Sequence, residues 1–181
     1  VPSDSTENKL FGSAVDISGA QAIIGASGDG VSNTGAAYIF TKSSDTWTQR
    51  QKLIPTSTEI STQYKIGAGE IGNSVAIDNN MAFLGIRESD KFGTLSGDGF
   101  LYISGTDGIS WNATETLRVI PDVQPTIQDY YGSSVTIKDN RLYVSAYGVG
   151  NGKVYQFKEN TSNNWKQIIV TTDTAIATQT D

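Results

Sequence analysis

Residues 11–26 read FGSAVDISGAQAIIGA, and the same pattern returns as IGNSVAIDNNMAFLGI at 71–86 and YGSSVTIKDNRLYVSA at 131–146. The opening pairs Phe11-Gly12, Ile71-Gly72 and Tyr131-Gly132 recur at a constant spacing of 60 residues, from 11 to 71 and from 71 to 131. Self-similarity at such a period marks stacked supersecondary units, none of which buries its apolar face alone.

Working outward, Val15 and Ile17 alternate with polar residues before Ser18-Gly19-Ala20 turns the chain into Ala22, Ile23 and Ile24. This is a hairpin pattern, repeated with turns at Asp78-Asn79-Asn80 and Lys138-Asp139-Asn140, where Asn, Asp and Gly supply the positive φ angles of type I′ turns. A third strand is expected after Gly35, Gly99 and Gly152, each followed three residues on by Tyr38, Tyr102 and Tyr155. A fourth is expected from Trp47, Trp111 and Trp165 to Ile54, Ile120 and Val170. Because the tryptophans and tyrosines recur at one place in every copy, they read as blade packing rather than as sugar platforms. The expected fold is all-β, with three four-stranded antiparallel propeller blades that form part of a larger or assembled β-propeller. The expected units are an inter-blade linker at 1–10, blades with their linkers at 11–70 and 71–130, and a third blade with its C-terminal linker at 131–181. Val1-Pro2 and the segment TTDTAIATQTD (171–181) both read as linkers at blade boundaries.

The pattern FGSAVDIS, AIIGAS, GAAYIF, Trp and QKLI resembles the FG-GAP repeat of integrin-like β-propellers across roughly residues 11–170. The second copy departs with Ile71 for Phe and Gly85-Ile86 for Gly-Ala, and the third with Tyr131 and Ser145-Ala146. The resemblance is specific for fold and unspecific for function; the expected role is an extracellular or cell-surface segment for protein or glycan binding or adhesion, or a structural spacer in a larger adhesin-like chain. The resemblance also implies calcium loops of the form D-x-[DN]-x-D-G between the first and second strands. Here those places are too short and too poor in acids for the six to eight oxygens that calcium needs, so neither metal nor cofactor is expected.

Composition narrows the function further. The 181 residues include no Cys and no His, which removes thiol nucleophiles, disulfides, Ser-His triads and His/Cys zinc sites. A net charge of −6, with the 13 basic residues scattered, argues against a nucleic-acid partner. No apolar run is long enough for a membrane span, so no membrane insertion is expected. No catalytic residue stands out, and the acids Glu88, Asp90, Asp129 and Asp139 show no spacing that marks a general acid/base pair. The chain is therefore read as a noncatalytic binding module.

Loop length points to where it binds. The segment between second and third strands differs among copies (Gly25 to Gly35, Gly85 to Gly99, Ser145 to Gly152), and so does the linker into the next copy. Both loop types emerge on one face of an up-and-down blade, which makes residues 26–34, 61–70, 86–98 and 122–130 the expected contact surface for a protein or glycan. Its candidate ligand-face residues are Asp29, Asn33, Glu88, Asp90 and Asp129. Asn112 and Asn160 begin N-glycosylation sequons near the third-to-fourth strand loops. Alternative readings are a structural subunit that self-assembles through open blade edges and a lectin-like carbohydrate-binding module.

Overall fold

The computed structural model describes residues 9–30, 34–55, 71–90, 93–105, 107, 109–112, 117–161 and 164–172. Among them there is no helix. Twelve strands form three sheets. The first holds β1 (Phe11–Ser18), β2 (Gln21–Ala26), β3 (Ala36–Ser43) and β4 (Thr46–Leu53). The second holds β5 (Ser74–Asp78), β6 (Met81–Ile86), β7 (Asp98–Ile103) and β8 (Leu117–Arg118). The third holds β9 (Tyr131–Lys138), β10 (Arg141–Ala146), β11 (Lys153–Thr161) and β12 (Asn164–Thr172). Each is an antiparallel meander in chain order, as the alternating patterns predict, and the three do not close into a ring. The first strands β1, β5 and β9 contact one another from sheet to sheet, so they form the inner edge of the array.

The hairpin turns follow their residues closely but not uniformly. Asp139 and Asn140 both have positive φ, 51° and 57°, as a type I′ turn requires. In the first two blades only the first central residue is left-handed, Gly19 at 57° and Asn79 at 51°. The strict I′ reading therefore holds for the third hairpin alone.

Pairing also corrects the register of the third strand. Ile24 pairs with Tyr38, Leu84 with Phe100 and Val144 with Tyr155. Phe100, not Tyr102, thus takes the place of Tyr38 and Tyr155, while Tyr102 matches Phe40 and Phe157. The leading glycine of the second copy is Gly97. Gly35 and Gly97 both have φ near +90° and bridge to the next blade at Ile71 and Tyr131, where a Cβ would lie 2.0 Å from a carbonyl oxygen. The fourth strand of the second blade is shorter than expected: Trp111 lies outside β8 and forms an isolated bridge with Ser104.

Burial is arranged between blades. Ile23, Ile39 and Leu53 of the first sheet pack on Val75, Ile77, Leu84, Phe100 and Trp111 of the second. Met81, Phe83, Leu101 and Val119 of the second pack on Tyr131, Ile137, Val144, Phe157 and Trp165 of the third. The second blade thus has a near face, turned to the first, and a far face, turned to the third, and the equivalent faces of the other two blades are named in the same way. The backbones come close enough at these interfaces that no side chain fits between them. A Cβ on Gly25 would lie 1.9 Å from the Gly72 carbonyl oxygen, and one on Gly85 would lie 2.2 Å from that of Gly132. Ser13 Oγ donates to the Gly72 carbonyl at 2.8 Å across the same contact. This approach explains both glycines of the repeat.

The tryptophans divide by neighbour. Trp111 and Trp165 are buried at 7% and 9% exposure against the preceding blade, whereas Trp47 is 41% exposed, so the packing expectation fails for the first copy. Trp47 occupies the near face of the first blade, which no described residue of another blade covers. The Trp111 indole N–H donates to Gln21 Oε1 at 3.2 Å. Met81 takes the place of Gln21 in the next interface, and the buried Trp165 Nε1 has no hydrogen-bond partner among the described residues.

Two outcomes follow. Gly85→Ala should lower unfolding free energy by about 3 kcal/mol by forcing two blades apart, whereas Gly12→Ala, with none of the described residues near its Cβ, should cost only about 1 kcal/mol for its φ of +98°. Met81→Gln should give the Trp165 indole an acceptor and raise stability by about 1 kcal/mol. Urea unfolding of the three variants measures all of this.

Candidate ligand-binding loop face

The loops at the variable end are built by hydrogen bonds between segments of different blades. Residues 94–96 and 128–131 run side by side: Gln128 N–H donates to the Thr94 carbonyl at 2.9 Å, Tyr130 N–H to Leu95 at 3.0 Å and Tyr131 N–H to Ser96 at 3.1 Å. Asp90 fixes the first segment by accepting from Leu95 N–H at 2.8 Å, and Asp129 fixes the second by accepting from Thr126 N–H at 2.6 Å. Gly148 seats the linker, because a Cβ there would lie 1.7 Å from the Gln128 carbonyl oxygen.

Three residues of this cluster are left-handed although none is glycine: Leu95 at φ 60°, Gln128 at 63° and Tyr130 at 54°. Each such residue costs about 1–2 kcal/mol and persists only where surrounding contacts dictate it. Tyr130 in this conformation stacks on Tyr147, with ring centroids 4.7 Å apart and planes 10° from parallel. Tyr147 is 54% exposed, and Val123 and Ile127 are exposed on the same linker side. The stacked tyrosines, Val123 and Ile127 thus expose aromatic and aliphatic surface at this end of the array.

The residues singled out in the sequence are placed as follows. Glu88 is half-buried and pairs with Arg87 at 3.2 Å. Asp90 and Asp129 are half-buried and spend their carboxylates on the loop backbone. Asn33 and the 61–70 loop lie outside the described residues. Asn112 and Asn160 are exposed, Asn160 near the end of β11. Asp29 is 3% exposed: Lys52 Nζ lies 2.8 Å and Lys9 Nζ 3.2 Å from its oxygens, and the Tyr38 hydroxyl donates to it. Lys52 also lies over the Tyr38 ring, 5.3 Å from its centroid. The second blade has a counterpart in Arg118, whose Nε donates to Asp98 at 2.7 Å while its guanidinium lies over Phe100. Tyr130, Tyr147 and Ile127 were not singled out in the sequence. The one signal was Tyr147 itself, a large aromatic where the other copies carry Ser27 and Arg87.

The first-to-second strand turns do not fit a calcium cage. Asp78 accepts from Ser18 Oγ at 3.1 Å and from Asp139 N–H at 3.0 Å, so its carboxylate joins the three hairpins instead. Among the described residues no group of three acids gathers to hold a metal ion.

The fold and its inter-blade packing define an all-β protein made of propeller-type blades. The family model described as the FG-GAP repeat matches residues 1–40, which take in β1, β2 and most of β3, consistent with an integrin-like propeller repeat. FG-GAP repeats are typical of extracellular proteins. No curated protein matches the chain.

The Asp29 cluster has a pH signature. Burial raises its carboxyl pKa, but hydrogen bonds from Lys52, Tyr38, Gly30 N–H and Lys9 outweigh burial and hold it below the ordinary value. A carboxylate lowered on folding stabilises the native state above its unfolded pKa, near 4, and that stability is lost as pH falls through the folded value. Asp29→Asn should therefore cost about 2–3 kcal/mol at pH 7 and flatten the acid limb of the stability profile below about pH 4, measured by urea unfolding across pH.

Proposed function

We propose that this chain is a noncatalytic segment of an extracellular or cell-surface β-propeller that binds a protein or glycan through its variable-loop face. The observation that carries the reading is the run of left-handed, non-glycine residues Leu95, Gln128 and Tyr130, which present the stacked Tyr130 and Tyr147. Strain held at a loop cluster by neighbouring hydrogen bonds is a common mark of a binding site. Aromatic side chains supply large contact area at little conformational cost. A glycan is the favoured ligand if the Tyr147 ring takes the apolar face of a pyranose. A protein is favoured if Val123 and Ile127 share the contact.

Screening the chain against a glycan array and a set of extracellular domains tests this. Tyr147→Ala and Ile127→Ser should weaken any captured ligand at least tenfold, while Asn140→Gly at the opposite end should leave binding unchanged. Equal binding by all three variants would remove the loop face from the reading.

A further inference from the structure

Internal repetition shows what each blade face is shaped to receive. The near faces of the second and third blades, with Val75 and Ile77 or Val135 and Ile137 on their inner strands, are covered by the far face of the blade before them. The first blade carries the same near face in Phe11, Val15, Ile17, Ile24, Phe40 and Trp47. Here Val15 is 69% and Ile17 62% exposed, and the face holds a groove of about 280 Å3. Gly72 and Gly132 lie against preceding-blade carbonyls, 2.3 Å from where a Cβ would sit; Gly12 keeps the left-handed φ, and a Cβ there would meet none of the described residues within 4 Å.

The far face of the third blade is of a different kind. Ser145 stands where Gly25 and Gly85 admit the next backbone, and its Cβ would strike a following blade's carbonyl as one on Gly85 would strike Gly132. Gln156 replaces Ile39 and Leu101, Lys158 replaces Thr41 and Ile103, and Arg141 replaces Gln21 and Met81. Seating that face on Val15 and Trp47 would bury two cations in an apolar contact, which is costly. Terminal units of repeat arrays carry polar outer faces of this sort.

We propose that the near face of the first blade is a docking surface for one further blade of the same repeat type, presenting glycine at the Gly85 position and branched or aromatic apolar residues at those of Phe83 and Leu101. The occupant is not a second copy of this chain, whose own outer face is the mismatched one. The proposal rests on the reading of the chain as a propeller segment; the surface is separate from the loop face, so ligand binding there can fail while blade docking holds.

The test extends the full chain at its N-terminus with a copy of residues 71–130 or, separately, a copy of 131–172. Acrylamide quenching reads Trp47, the exposed indole, with Trp47→Phe as the reference. The 71–130 extension should reduce quenching of Trp47 at least threefold and raise the melting temperature. The 131–172 extension should change neither, and Gly85→Ser in the added 71–130 copy should undo its effect. In the unextended chain, Val15→Ser with Ile17→Ser should leave the unfolding midpoint unchanged; the same pair should abolish protection in the extended one. Protection by both extensions, or by neither, overturns the proposal. So does concentration-dependent dimerisation that shields Trp47, which would make a second copy the occupant, or shielding already present in the monomer, which would make it a segment of the chain itself.

Discussion

The backbone contact between blades is the constraint on which the rest depends. Where Gly25 meets Gly72 and Gly85 meets Gly132, a single methyl group is too large, and the alternating apolar strands can bury their faces only because that approach is allowed. The two glycines of the repeat therefore act as a pair drawn from successive blades. One, in β2 or β6, leaves room, and the other, left-handed at the start of the next blade, brings its carbonyl into it. Apolar burial of about 25 cal/mol per Å2 then supplies the driving force along the whole interface.

Polar groups arrange themselves around this packing rather than against it. At the hairpin end, Asp16 accepts from Ile77 N–H and Asp78 from Asp139 N–H, so each carboxylate ties one blade to the next. At the loop end, Lys52 and Arg118 on fourth strands reach back over an aromatic ring to a buried carboxylate, Asp29 or Asp98. The two devices place acids in different roles from those their sequence positions suggest. Asp29 looks like a loop acid offered to a partner and is instead enclosed by two lysines and a tyrosine. Tyr130 and Tyr147, separated by a hairpin's length of chain, stack on the loop face once the inter-segment hydrogen bonds and the left-handed backbone of Tyr130 bring them together.

How much was legible in the sequence depended on whether a residue answers to its own strand or to the next blade. Val15, Ile17 and their counterparts announce strands by alternation, and Asn79 or Asp139 announce turns by their tolerance of positive φ; such signals are local. The misplaced Tyr102 shows the limit. Aligning copies by their tyrosines ignored that Gly97, two residues before Gly99, makes the inter-blade bridge, and a chemical likeness between Tyr and Phe at one packing position outweighed the match of letters. Trp47 shows it again, since an identical residue at an equivalent position is buried or exposed according to whether another blade lies over it.

By itself, then, the sequence determined the period, the four-strand unit, the hairpins, the all-β class and the end of the array where loops vary, because each follows from side-chain alternation, turn chemistry and repetition along one dimension. Only the tertiary structure decided which glycines touch, which carboxylates are enclosed, which tyrosines stack, and that the two outer blade faces differ. Those properties belong to residues well separated along the chain, 47 positions for Gly25 and Gly72, 23 for Asp29 and Lys52 and 17 for Tyr130 and Tyr147, and they exist only once strands and sheets are laid together.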